Sequence, residues 1–125
     1  MIVLLAGASG WLGRQTLQSL RSHGAEVRAI LRGGASHQAA TQLQDAGAVI
    51  VDASLANDSS LARAAEGVDV IVSTLSGGPD VIVDGQAALA RAGRDAGAAR
   101  IFTSDFSVRF DGVDTSTHLF LGWRE

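Results

Sequence analysis

Gly7, Gly10 and Gly13 stand at the spacing G-x-x-G-x-x-G, directly after the apolar run Ile2, Val3, Leu4 and Leu5. The chemistry this spacing offers is phosphate binding. Gly7 permits a tight turn, Gly10 lets the backbone come close to a pyrophosphate, and Gly13 lets the next helix lie against the strand. The helix's unsatisfied N–H groups and positive dipole end then face the phosphates, with Ser9, Trp11 and Leu12 in the same loop. Glycine makes up 15 of the 125 residues, so the spacing alone carries little. Its position does more. It follows the first strand and opens a periodic helix, the context that points to a dinucleotide.

The remaining candidate groups fall where further strands end. A second strand, Val27 to Leu31, runs into Arg32, Gly33 and Gly34. An NAD-binding domain usually has a carboxylate at this place for the ribose 2′-hydroxyl. An arginine there suits a 2′-phosphate, which it can pair bidentately, so the expected cofactor is NADP, with NADPH preferred over NADH. Arg14 either adds a second positive charge or is a solvated surface residue. Asp52 ends a third strand, where it accepts from the adenine amino group or caps the next turn. The hydroxyls of Ser73 and Thr74, with Leu75 and the backbone at Gly77 and Gly78, suit a ribose or phosphate edge or form a plain loop. Ser104, Asp105 and Phe106 follow a fifth strand. Asp105 offers a general acid/base, but it has no His or Lys neighbour in sequence, so a structural turn is the preferred reading and no catalytic residue is assigned. His37 and His118 are lone histidines without metal-ligand spacing and read as surface residues.

The elements that must position these groups alternate regularly. The first helix is expected over Trp11 to His23, with Gly13, Thr16, Leu17 and Leu20 on one face, His23 suiting the dipole and Gly24 ending it. Ser36 is an N-cap for a second helix that turns Ala39, Leu43 and Ala46 inward and stops at Gly47. The third strand spans Ala48 to Val51. A short helix starts near Asn57 or Asp58 with Leu61 and Ala65 as its apolar face, and a fourth strand covers Val68 to Val72. Pro79 opens a helix expected over Asp80 to Ala96, with Ile82, Gln86, Leu89 and Gly93 along one side. The fifth strand is Arg100 to Thr103. Right-handed crossovers then give an α/β fold, a Rossmann-type doubly wound parallel sheet in the order 3-2-1-4-5. Residues 1–125 form one such domain, of which 104–125 is a less regular segment that admits one more helix over Thr115 to Trp123.

Composition narrows the function. All ten basic residues are arginine against thirteen acidic ones, a net charge of −3 with the positive charges scattered. That argues against a nucleic-acid face or a polybasic membrane anchor. The absence of cysteine excludes disulfides, thiolate nucleophiles and Cys-ligated metals. No apolar run approaches the roughly 20 residues that span a bilayer. A cytoplasmic protein is expected. There is also no tyrosine and no lysine, which bears directly on catalysis.

Four stretches together resemble the NmrA-like and isoflavone-reductase-like proteins, atypical short-chain dehydrogenases/reductases. They are GASGWLG at Gly7 to Gly13, VRAILR at Val27 to Arg32, DSSLARAAEGVDVIVSTLSG at Asp58 to Gly77, and RIFTSDFS at Arg100 to Ser107. Thr103 stands where the family usually has Pro, and Ser107 where it usually has Gly. The resemblance implies that Arg32 is a phosphate-binding residue and that the chain matches the N-terminal, cofactor-binding half of much longer proteins. It also implies that the reductases' lysine would fall beyond Glu125, and the Tyr-x-x-x-Lys pair of the wider superfamily is absent. Two functions follow as expectations: an NADP(H)-binding domain related to NAD(P)H-dependent reductases, or a non-catalytic NADP-sensing module that acts through a protein partner. A nucleotide-sugar epimerase relative is a weaker third, given the missing Tyr and Lys. Leu119, Phe120, Leu121 and Trp123 form an apolar group expected to serve self-association or a partner chain.

Overall fold

The computed structural model describes residues 1–32 and 35–105. The expectations for Gly33, Gly34, Phe106, Ser107, His118 and the Thr115–Trp123 helix, including the apolar group at Leu119, Phe120, Leu121 and Trp123, lie outside the described residues.

The elements run β1 (Ile2–Ala6), α1 (Trp11–Ser22), β2 (Glu26–Leu31), α2 (His37–Asp45), β3 (Ala48–Asp52), α3 (Asp58–Ala65), β4 (Val70–Ser73), a π-helical turn (Asp80–Gly85), α4 (Gln86–Asp95) and β5 (Arg100–Phe102). They build one five-stranded sheet in the order β3-β2-β1-β4-β5, with every pairing parallel. The doubly wound order expected from the sequence is the order found. β1 sits between β2 and β4, so the chain leaves it in both directions and a crevice opens at its carboxyl end.

Two apolar layers hold the sheet. Val3, Leu5, Leu17, Val27, Ala29 and Leu43 pack together on the face of α1 and α2. Leu4, Leu61, Ala65, Ile71, Ala88 and Leu89 pack together on the face of α3 and α4. Alternate residues of β1 thus serve opposite layers, which explains its unbroken apolar sequence. Leu4, Leu5, Leu17, Leu61 and Leu89 are fully enclosed. Each contributes about 1.5–3 kcal/mol relative to exposure. The cap expected at Ser36 is made, its Oγ accepting from the Ala39 N–H at 3.2 Å, and the helix expected to start near Asn57 or Asp58 is capped by Asn57, whose Oδ1 accepts from the Ser60 N–H at 2.9 Å.

Three expectations need correction. The helix after Pro79 is not α-helical throughout, because its first stretch is the π-helical turn. β4 begins at Val70 rather than Val68. Val68 is enclosed beneath α3 and α4, and the Asp69 carboxylate accepts from the Ile2 N–H at 2.6 Å, so both residues serve the turn into the strand. Ala46, expected to face inward, is exposed, since it is the C-cap of α2 where the chain already turns away. Among the described residues, the layer on the α1 side stops short of the sheet edge. Beyond Leu20, a trough of about 580 Å³ runs over Val70, Val72 and Phe102.

Candidate functional site

The glycine loop joins β1 to α1, and its three glycines do different work. Gly7 has φ +83°, and a side chain there would lie 2.8 Å from the Thr74 carbonyl carbon and from its Oγ1. Gly13 is buried against the turn, where a Cβ would stand 2.1 Å from the Gly7 carbonyl oxygen. Gly10 is different. Among the described residues, a Cβ there would meet a single atom within 4 Å, the Gly7 carbonyl oxygen at 3.4 Å, which leaves its outer side open to them. Gly10 also begins α1 without a side-chain cap, and no acidic residue stands in the first turn. The first N–H groups of that helix are therefore left for something outside the helix. The Gly10 N–H itself closes the loop onto the Gly7 carbonyl at 3.1 Å. Trp11 is 79% exposed, and Leu12 beside it is also exposed.

Arg14 is tied into this loop, its Nε donating to the Ser9 carbonyl at 3.1 Å. Arg32 follows the last residue of β2 and is exposed. Both Gly7 and Ser9 share one cleft of about 680 Å³ with Arg32. The cleft continues over Ala53 to Ala56 after β3 and over Leu75, Ser76, Asp80, Val81 and Asp84 after β4. Its volume is that of a site for a small molecule or cofactor.

Of the residues picked out in the sequence, Gly7, Ser9, Arg32 and Leu75 therefore line one cleft. Asp52 ends β3 paired with Leu31 and is exposed, while Ala53, the next residue, lines the cleft. Thr74 lies behind Gly7, and both its N–H and its Oγ1 donate to the Ala6 carbonyl, at 2.9 and 3.0 Å. Ser73 is 1% exposed, and its Oγ accepts from the Leu75 N–H at 3.5 Å. The Thr74 hydroxyl thus holds the exit of β4 against β1, while that of Ser73 closes the turn onto Leu75. Gly10, Trp11, Leu12 and Gly13 form the start of α1 beside the cleft rather than its lining.

Sequence reasoning missed Ser54, Leu55, Asp80 and Asp84 as cleft residues. For the aspartates a signal existed in the i, i+4 spacing, but only a turn at the cleft edge makes it visible. It also missed the pairing of Gln86 with Ser104. Both are 7% exposed, Gln86 Oε1 accepts from the Ser104 N–H at 3.1 Å, and Ser104 Oγ donates to the Leu75 carbonyl at 2.6 Å. Among the described residues, no group of His, Asp or Glu is placed to hold a metal ion, and no helix is long and apolar enough to cross a membrane.

A parallel sheet in this order, with a glycine loop and an uncapped helix start at its switch point, defines an α/β protein of the Rossmann type. Comparison with known proteins places it more closely. The model of the NmrA-like family matches residues 1–120, and the chain belongs to that family. It is 32% identical over 115 residues to the isoflavone reductase homolog IRL of Zea mays, a match covering 87% of this chain and 36% of that protein. Among solved structures, the leucoanthocyanidin reductase–NADPH binary complex from Vitis vinifera superposes with a TM-score of 0.77 at 25% identity, over 99% of this chain and 44% of that one. AtPrR2 with NADP⁺ and (+)pinoresinol gives a TM-score of 0.71 at 29% identity, over 83% and 36%. The chain thus spans less than half the length of the relatives it matches.

Proposed function

We propose that this chain is an NADP(H)-binding domain of the reductase type, taking the dinucleotide in the cleft at the switch point. In this reading Gly7, Ser9, Gly10, Trp11, Leu12 and Gly13 carry the pyrophosphate over the start of α1. Arg32 pairs with the 2′-phosphate, Asp52 and its neighbours flank the adenine, and Ser73, Thr74 and Leu75 form the ribose edge. The observation that carries it is the joining of two separate signals, the glycine loop and Arg32, in one cleft. Relatives of this fold solved with NADPH and with NADP⁺ support it. NADPH is preferred over NADH, because Arg32 offers charge-assisted hydrogen bonds that NADH cannot use.

A second reading is a non-catalytic NADP-sensing module in the cytoplasm whose cofactor state biases self-association or a partner chain. The exposed indole of Trp11 supplies the test. In a Trp123→Phe background, NADP⁺ should change the tryptophan emission, and Gly10→Val should abolish the change. Calorimetry that detects no NADP⁺ binding at millimolar concentration would overturn the proposal.

A further inference from the structure

Gln86 is a polar side chain on the inward face of α4, 7% exposed, among residues that otherwise include Ala88, Leu89 and Ala92. A buried amide costs stability unless both of its ends are hydrogen-bonded. Here both are. Its Oε1 accepts from the Ser104 N–H at 3.1 Å, and its Nε2 donates to the Val81 carbonyl at 3.5 Å. Ser104 extends the chain of contacts, its Oγ donating to the Leu75 carbonyl at 2.6 Å. Three segments are thereby joined: the exit of β4 at Leu75, the π-helical turn at Val81 and the exit of β5 at Ser104. Leu75 and Val81 both line the cleft.

A leucine at this position would fill the same space. What the amide adds is a tie between the β5 exit at Ser104 and the π-helical turn at Val81, which the Ser104 hydroxyl extends to the β4 exit at Leu75. In a doubly wound sheet one mononucleotide half lies on the β1–β2–β3 side and the other on the side that β4 and β5 build. We propose that Gln86 and Ser104 are positioning residues for the nicotinamide half of the cofactor. They hold the β4 and β5 exits together as a preformed floor, so that this half of the dinucleotide meets little disorder on binding. The inference rests on the NADP(H) reading of the cleft.

Two probes separate the halves. Adenosine 2′,5′-bisphosphate reports the adenosine side alone, whereas NADP⁺ reports both. Calorimetry on the full chain should show NADP⁺ binding more tightly than the bisphosphate. In Gln86→Leu, NADP⁺ affinity should fall about fivefold to tenfold while the bisphosphate changes less than about twofold, the weight of one hydrogen bond lost on one side. Gln86→Glu keeps an oxygen for the Ser104 N–H but sets an oxygen, not a donor, against the Val81 carbonyl, so it should lose NADP⁺ affinity as selectively as Gln86→Leu. Should Gln86→Leu fail to fold in a thermal melt, Ser104→Ala carries the same test, with a selective loss of about threefold. Equal losses for both probes, or none for either, would overturn the positioning role. A wild type that binds the bisphosphate as tightly as NADP⁺ would overturn it too, leaving the adenosine site intact. A wild type that binds neither probe would remove the NADP(H) reading itself, and this role with it.

Discussion

The two halves of the cleft are built by different means. On the β1–β2 side, backbone does the work: a loop with Gly7 at φ +83° and an uncapped start to α1, joined in the cleft by the cation of Arg32. On the β4–β5 side, side chains do it. Leu75, Val81, Gln86 and Ser104 are held by hydrogen bonds between residues as many as 29 positions apart, and the charges at the rim are the carboxylates of Asp80 and Asp84. The difference teaches that a glycine loop at a helix start can be written into a short local motif. The β4–β5 side depends on pairings that exist only once the sheet has formed.

The comparison breaks most sharply over chemistry. Hydride transfer to a carbonyl or activated double bond develops negative charge that needs a positioned acid or oxyanion donor. On the β4–β5 side the Ser104 hydroxyl already donates to the Leu75 carbonyl, and the chain has neither Tyr nor Lys. The purified chain should bind NADPH without oxidising it against a panel of quinones, aldehydes and enones. Turnover that survives rigorous purification and disappears in Asp105→Ala would contradict this.

Within the glycine loop, substitutions should split fold from binding. Gly13→Val drives a side chain into the Gly7 carbonyl, a backbone atom that cannot swing aside. It should lower the unfolding free energy in urea by about 3 kcal/mol, the upper end of overpacking effects. At Gly10 a Cβ meets only the Gly7 carbonyl oxygen among the described residues, at the ordinary contact distance of 3.4 Å. Gly10→Val should cost less than about 1 kcal/mol of stability, the scale of a weakened N-cap, and yet remove NADP⁺ binding in calorimetry. Equal destabilisation by the two would mean that Gly10, like Gly13, is a packing glycine. The smallest effect is expected behind the loop. Thr74→Val removes the hydrogen bond from Oγ1 to the Ala6 carbonyl while keeping the shape. A loss of about 1 kcal/mol in denaturant unfolding is expected, with NADP⁺ affinity changed less than about threefold.

The same division governs what the order of amino acids makes legible. The strands and their order are legible, because Ile2–Leu5 is an unbroken apolar run and Val27–Leu31 and Val70–Val72 are short apolar-rich segments set between helical patterns. The Ser36 and Asn57 caps are legible because capping is a contact across three residues. The π-helical turn at Asp80–Gly85 is not. Nothing in DVIVDG distinguishes it from an α-helical start, and the packing of Gly85 against Leu55, which a Cβ at 2.8 Å would disturb, is a tertiary fact. Periodicity puts Gln86 on the inner helix face, but it does not reveal Ser104 as its partner, since a hydrogen bond across 18 positions leaves no local pattern.

The central claim is that the glycine loop and Arg32 act together on one 2′-phosphorylated dinucleotide. Parallel titrations of NADPH and NADH into the wild-type chain and Arg32→Ala test it most directly. The wild type should favour NADPH by about tenfold or more, as a charge-assisted hydrogen bond of about 1.5–3 kcal/mol requires. That preference should shrink as salt rises and vanish in Arg32→Ala, with NADH affinity almost unchanged. Equal affinities for the two cofactors in the wild type, or a preference that persists without Arg32, would contradict it.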